Sequence, residues 1–171
     1  PVLRSAIAAY LARSRSIFVR AAQIVIGSGA EYLYSLIAQL LSRERIYGLE
    51  SPSYEKIRRV YEALGVTCDL LKLGGDGIHS TELARTHASV LHVTPFRSFP
   101  SGVTASASKR WQYLRWAEAR EGFLIEDDFS SEFSLSSKSE DTLFSLAQQQ
   151  RVIYLNTFSK TIAPSLRIGY M

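Results

Sequence analysis

At 171 residues, with 46% apolar or aromatic and 21% charged, the chain is long enough to bury a sizeable core, and its length favours one domain. A net charge of +4 and an isoelectric point near 9.3 allow a weak attraction to anions, but Lys and Arg are scattered among acids, so charge alone makes no case for nucleic-acid binding. Apolar runs such as Ile24 to Ile26 and Val152 to Leu155 fall far short of the roughly 20 residues of a membrane span, and a single cysteine, Cys68, excludes an internal disulfide.

The first predicted element is a helix over Leu3–Ser14, in which Leu3, Ile7 and Leu11 form one apolar stripe and Arg4, Arg13 and Arg15 are left for water. This Arg-rich, acid-poor stretch is read as a helix and not as a transit peptide. A strand near Gln23–Gly27 leads through Ser28-Gly29-Ala30 into a helix over Glu31–Leu41. A strand near Arg45–Leu49 precedes a helix over Tyr54–Leu64, and a strand over Thr67–Leu73 runs into the glycine-rich turn Leu73–Ile78. Cys68, in VTCDLLKL, reads as a buried, inert thiol in a reducing compartment, with the cytoplasm as default location. Then follow a strand over Ser89–Val93, a helix over Thr104–Arg120, a strand over Phe123–Glu126, a polar loop over Ser130–Asp141 and a helix over Asp141–Gln149. Strands over Val152–Leu155 and Ile168–Met171 close the series. Short β-branched runs alternating with longer helical periods predict an α/β fold with a mainly parallel, buried sheet of about seven strands. The chain opens on Pro1 without an initiator Met and stops at GYM, so it reads as a piece of something longer.

Four groups of residues at strand ends can carry chemistry, since open α/β sheets place their ligands there. Ser28-Gly29-Ala30 can offer backbone amides to an anion at a helix start, although Glu31 in the first turn satisfies the helix dipole without a ligand. Phe123-Leu124-Ile125 delivers Glu126, Asp127 and Asp128 in a row; three adjacent carboxylates repel one another, so at least one calls for a cationic partner. Tyr54 can cover a flat ring or pack as core. Thr157, Ser159, Lys160 and Arg167 set phosphate donors beside one amine able to form a Schiff base, yet TFSK by itself is also what a surface lysine after a strand looks like.

Taken together, IVIGSGAEYLYSLIAQLL, TPFRSFPSGVTASASKR, LIEDDFSSEF and VIYLNTFSKTIAPSLRIGYM resemble, in that order, the large domain of fold-type I pyridoxal-phosphate enzymes. The likeness is greatest to the aminotransferase-like domain of MocR/GabR-type regulators within the GntR group. It covers nearly the whole chain and implies a three-layer αβα large domain. By resemblance, Lys160 carries pyridoxal 5'-phosphate as an internal aldimine, and Asp127 pairs with the pyridinium nitrogen. Tyr54 stacks on the ring, and Thr157, Ser159, Arg167 and the Gly29–Ala30 backbone hold the phosphate. No metal is implied.

Departures from the family pattern also stand out. Phe129 replaces a tyrosine whose hydroxyl reaches the cofactor's phenolic oxygen; Glu31 replaces a glutamine, Asn156 a glycine, and Arg97-Ser98 a His-Gln pair. A carboxylate at Glu31 is unfavourable beside a phosphate unless it turns away or is paired. The resemblance implies a homodimeric regulator that senses an amino compound, an amino acid or amine, by transaldimination. It would bind DNA only through a winged-helix domain that this sequence does not contain, and a C-terminal small domain is also outside it. Two alternatives stay open: a free-standing aminotransferase, and a degenerate domain that serves assembly without cofactor.

Overall fold

The computed structural model describes residues 2–129, 141–147, 151–159, 162 and 164–171. In chain order its elements are α1 (Val2–Arg15), β1 (Ile26–Gly27), α2 (Ala30–Leu41), β2 (Tyr47–Ser51), α3 (Glu55–Ala63), β3 (Cys68–Gly74) and β4 (Gly77–Ile78). They continue as α4 (Ser80–Arg85), β5 (Val90–Val93), α5 (Ala107–Ala119), β6 (Phe123–Asp127), α6 (Leu143–Leu146), β7 (Val152–Thr157) and β8 (Gly169–Tyr170). No helix among the described residues is long and apolar enough to cross a membrane.

The strands form one sheet in the order β1-β8-β7-β6-β5-β2-β3-β4. From β7 to β3 every neighbour is parallel, while β8 is antiparallel to β7 and β1, and β4 is antiparallel to β3. The central strands are buried on both faces, which is why β5 reads VLHV without polar alternation. Helices cover both faces. Leu33, Tyr34, Ile37, Ala38 and Leu41 of α2, with Ile57 and Tyr61 of α3, pack on Tyr47, Leu49, Val90, Ile125 and Leu155. On the other face Leu83, Tyr113, Trp116, Ala117 and Leu143 pack on Leu71, Leu91, Val93, Leu124 and Val152. Each large aliphatic side chain among them, once buried, contributes roughly 1.5–3 kcal/mol. The α/β layers agree with the sequence reading.

Several boundaries differ from expectation for local reasons. The first predicted strand shrinks to β1, because Ala21–Gln23 form a 3-10 turn closed by the Gln23 side chain accepting from the Arg20 amide at 3.0 Å. The glycine-rich turn is the tip of the antiparallel pair β3–β4. This hairpin is pinned from α5, where the Tyr113 hydroxyl accepts from the Ile78 amide and Lys109 Nζ donates to the Ile78 carbonyl, both at 2.8 Å. Helix α4 was not read from the sequence, and α5 starts later than predicted, at the Ser106 cap that accepts from the Lys109 amide at 3.2 Å. Most of the polar loop Ser130–Asp141 lies outside the described residues.

Three expectations about single residues are corrected. Arg15 is not left for water: it is buried against the sheet, while Leu3, assigned to the apolar stripe, is exposed. Cys68 is half-buried, and its thiol is nonetheless pushed up to about 11 by burial, which keeps it protonated and unreactive at neutral pH.

Candidate functional site

Strand parity splits the three carboxylates of IEDD. Successive side chains of an extended segment point to opposite faces, so Asp127 is turned away from Glu126 and Asp128, and those two find different partners. Glu126 accepts from the amides of Leu143 and Phe144 at 2.8 and 2.9 Å, at the start of α6. Burial, followed by the charge of Asp128, pushes its carboxyl up to about 8. Asp128 is the one with the cationic partner: the Arg15 guanidinium donates to its Oδ2 at 2.5 Å and the Tyr154 hydroxyl at 2.6 Å. Burial opposes the charge of Arg15, and Asp128 with Tyr154 overcomes it, so the guanidinium is held more firmly protonated than usual.

Asp127 ends β6 on the α2 side of the sheet. Its Oδ2 accepts from the Tyr34 hydroxyl of α2, and His92 Nε2 of β5 stands 3.5 Å from the same oxygen. The other His92 nitrogen, Nδ1, lies 2.8 Å from the Tyr61 hydroxyl of α3. A proton on Nε2 lets Tyr61 donate to Nδ1 and turns the ring N–H toward Asp127. The Oδ1 atom of Asp127 is buried and has no hydrogen-bond partner among the described residues. A buried carboxylate oxygen without a donor is costly, and it is therefore a natural acceptor for a ligand's N–H.

Around this carboxylate the sheet gathers distant pieces of the chain. Gly29 precedes α2 with φ +89° and ψ 176°, a conformation strongly favouring glycine, and a side chain there would sit 3.2 Å from Arg167 Nη2. The antiparallel β8 is what carries Arg167 to that turn, by pairing with β1. The Gly29 amide already donates to the Gly27 carbonyl at 2.9 Å, so the amides on offer to an anion begin at Ala30. Glu31 is paired as required: Lys56 Nζ donates to it at 3.1 Å, tying the start of α2 to that of α3. Tyr54 caps the start of α3, exposed by 40%, with its ring 6.1 Å from that of Phe99. It is not a core residue.

Thr157 is the last residue of β7, Ser159 follows it half-buried, and Phe129 is half-buried just beyond β6. Lys160 lies outside the described residues. Asn156 is buried, with Nδ2 donating to Tyr154 at 3.2 Å and Oδ1 accepting from the Thr157 amide at 2.6 Å.

Sequence reasoning missed Tyr34, His92 and Glu50. Glu50, the next-to-last residue of β2, is buried; it accepts from the Thr94 amide at 3.2 Å and from the Ser98 hydroxyl at 2.6 Å, and burial pushes its carboxyl up to about 8. It thereby ties the segment after β5 to β2. A usable signal existed in each case: a titratable or hydroxyl group at a position that periodicity assigns to the core demands a partner.

A family model described as aminotransferase class I and II matches residues 1–171. The uncharacterized HTH-type transcriptional regulator YdeL of Bacillus subtilis (strain 168) is 34% identical over 169 residues, covering 99% of this chain and 36% of that protein. The HTH-type pyridoxine biosynthesis transcriptional regulator PdxR of Corynebacterium glutamicum is likewise 34% identical, covering 99% of this chain and 37% of its own length. Among solved structures, kynurenine aminotransferase of Pyrococcus horikoshii in complex with PMP superposes with a TM-score of 0.88 at 27% identity, covering 99% of this chain and 44% of that one. LysN, the α-aminoadipate aminotransferase of Thermus thermophilus complexed with N-(5'-phosphopyridoxyl)-L-leucine, gives 0.87 at 25% identity, covering 98% of this chain and 44% of its own. The chain thus spans just over a third of the curated relatives and under half of the solved aminotransferases. With the family model matched along all of its residues, the chain belongs to the aminotransferase class I and II family.

Proposed function

We propose that this chain is part of the cofactor-binding large domain of a bacterial transcriptional regulator, holding pyridoxal 5'-phosphate and responding to a small amino compound. The observation that carries the reading is Asp127, a buried carboxylate with one oxygen taken by Tyr34 and the other without a partner among the described residues, at the carboxyl end of a parallel strand. The residues present fit a phosphorylated pyridine. Asp127 Oδ1 suits a ring N–H, Tyr54 offers an exposed aromatic face, and Arg167 beside Gly29 at the start of α2 suits a phosphate, with Thr157 and Ser159 nearby in sequence.

When bound, pyridoxal phosphate supplies an aldehyde that condenses with amines and a pyridinium ring that draws electrons from the adjacent carbon. Lys160 is assigned as the amine that holds it covalently. Asp127 keeps the ring nitrogen protonated, and the Arg15–Asp128 pair next to it keeps a second negative charge from disturbing that role. Phe129 packs without the hydroxyl that the family pattern offers to the phenolic oxygen.

The regulator reading rests on curated relatives such as YdeL and PdxR, described as HTH-type transcriptional regulators; on that reading the partners are an amino-compound ligand, a second copy of the protein, and DNA reached through a separate domain. A free-standing aminotransferase is the second reading, favoured by the superposition on solved aminotransferases. A basic winged-helix segment in the same reading frame supports the first, and its absence the second. The cofactor itself is tested by an absorbance scan of the protein, in its complete reading frame, with added pyridoxal phosphate. A band at the edge of the visible that disappears in Lys160→Ala is expected. No band in the unaltered protein would refute cofactor binding and leave a role in assembly alone.

A further inference from the structure

We propose that Tyr34 is a positioning residue for the cofactor, fixing Asp127 so that only its Oδ1 atom can accept the ring N–H. The proposal rests on the reading of Asp127 above and extends it to a residue outside the phosphate cradle. Tyr34 sits one turn into α2, its side chain buried between the His92 ring at 5.0 Å and the Tyr61 ring at 6.1 Å. Its hydroxyl is spent on Asp127 Oδ2. Burial, then the Asp127 charge, hold that hydroxyl protonated far beyond neutral pH, so it acts as a donor throughout.

Two consequences follow from the geometry. An acceptor oxygen already engaged by one strong donor, with the His92 nitrogen 3.5 Å away on the same side, leaves the other oxygen as the site for a new donor. The same helix also begins at Gly29, where Arg167 rests, so α2 sets both the anion end and the ring-nitrogen end of the site. A single rigid element then fixes the distance between the two anchors, which lowers the ordering cost of binding. Without the Tyr34 hydroxyl, the Asp127 side chain is free to turn about its last bond, and neither oxygen is held by a side-chain hydroxyl.

The test compares two probes by fluorescence titration: pyridoxal phosphate, and its analogue with a CH group in place of the ring nitrogen. In Tyr34→Phe, affinity for pyridoxal phosphate falls about tenfold, which corresponds to about 1.4 kcal/mol, while affinity for the analogue stays within about twofold. An equal fall for both probes, or no fall for either, overturns the proposal, since a role in packing alone affects them alike. Should the single change unfold the protein, Tyr34→Phe with Asp127→Asn removes the unpaired buried charge. That double variant is expected to match Asp127→Asn alone for both probes, and a further loss overturns the proposal. If the unaltered protein binds neither probe, the cofactor reading itself fails, a result distinct from the others.

Discussion

Replacing Glu50 with Gln isolates a pH dependence that burial builds into the fold. The carboxyl is enclosed near the end of β2, and burial pushes it from its ordinary 4.5 up to about 8, against the partial relief given by Ser98 and Thr94. Between those two values the folded protein holds this proton and the unfolded chain does not. The stabilisation is therefore complete below the lower value and is lost as pH rises through the upper one. At about 1.4 kcal/mol per pH unit, going from about pH 6 to pH 8 removes roughly 3 kcal/mol through Glu50 alone, and the loss then levels off. Gln keeps an acceptor for the Thr94 amide and can donate to the Ser98 hydroxyl, but it cannot ionise. Glu126, also pushed up to about 8, is present in both proteins and contributes the same slope to each. The assay is urea unfolding at about pH 6 and pH 9, followed by the fluorescence of Trp111 and Trp116. The stability difference between the two proteins should shift by roughly 3 kcal/mol in favour of Glu50→Gln on going from the lower to the higher pH. Identical pH slopes would refute the reasoning that burial keeps this carboxyl protonated.

Two further perturbations address the frame of the site. Arg15→Met leaves the Asp128 charge in the core and should cost about 3–5 kcal/mol in urea unfolding; adding Asp128→Asn should recover part of it, and additivity within about 0.5 kcal/mol would show the pair uncoupled. Gly29→Ala places a side chain in a conformation reserved for glycine, 3.2 Å from the Arg167 guanidinium, and should cost about 1–3 kcal/mol while weakening pyridoxal-phosphate binding in the titration above. Unchanged stability and unchanged affinity would remove Gly29 and Arg167 from the proposed phosphate end.

Much of the fold was legible because burial on both faces writes itself into composition. VLHV, FLI and VIYL read as strands from apolar content alone, and the amphipathic period of α2 and α3 placed the covering helices. Short edge elements were less legible. Gly77–Ile78 and Ser80–Arg85 owe their conformation to contacts with α5, through Tyr113 and Lys109, that no local pattern announces. The row of carboxylates was legible as a conflict, and the demand for a cation was correct; that Arg15 answers it, 113 positions away, was not. The same holds for Tyr34 and Asp127, separated by 93 positions.

The sequence by itself determined which chemistry-bearing residues stand at strand ends, because a parallel sheet forces apolar runs to finish where polar residues begin, and it determined the family through motifs in order. Only the tertiary structure decided how those residues are wired. Strand parity turns Asp127 away from Glu126 and Asp128, α6 and Arg15 then take one each of that pair, antiparallel pairing of β8 with β1 brings Arg167 to Gly29, and α2 delivers a hydroxyl to Asp127. Periodicity along a chain fixes which face a side chain occupies; which distant group meets it there depends on strand order, and strand order is a property of the assembled sheet.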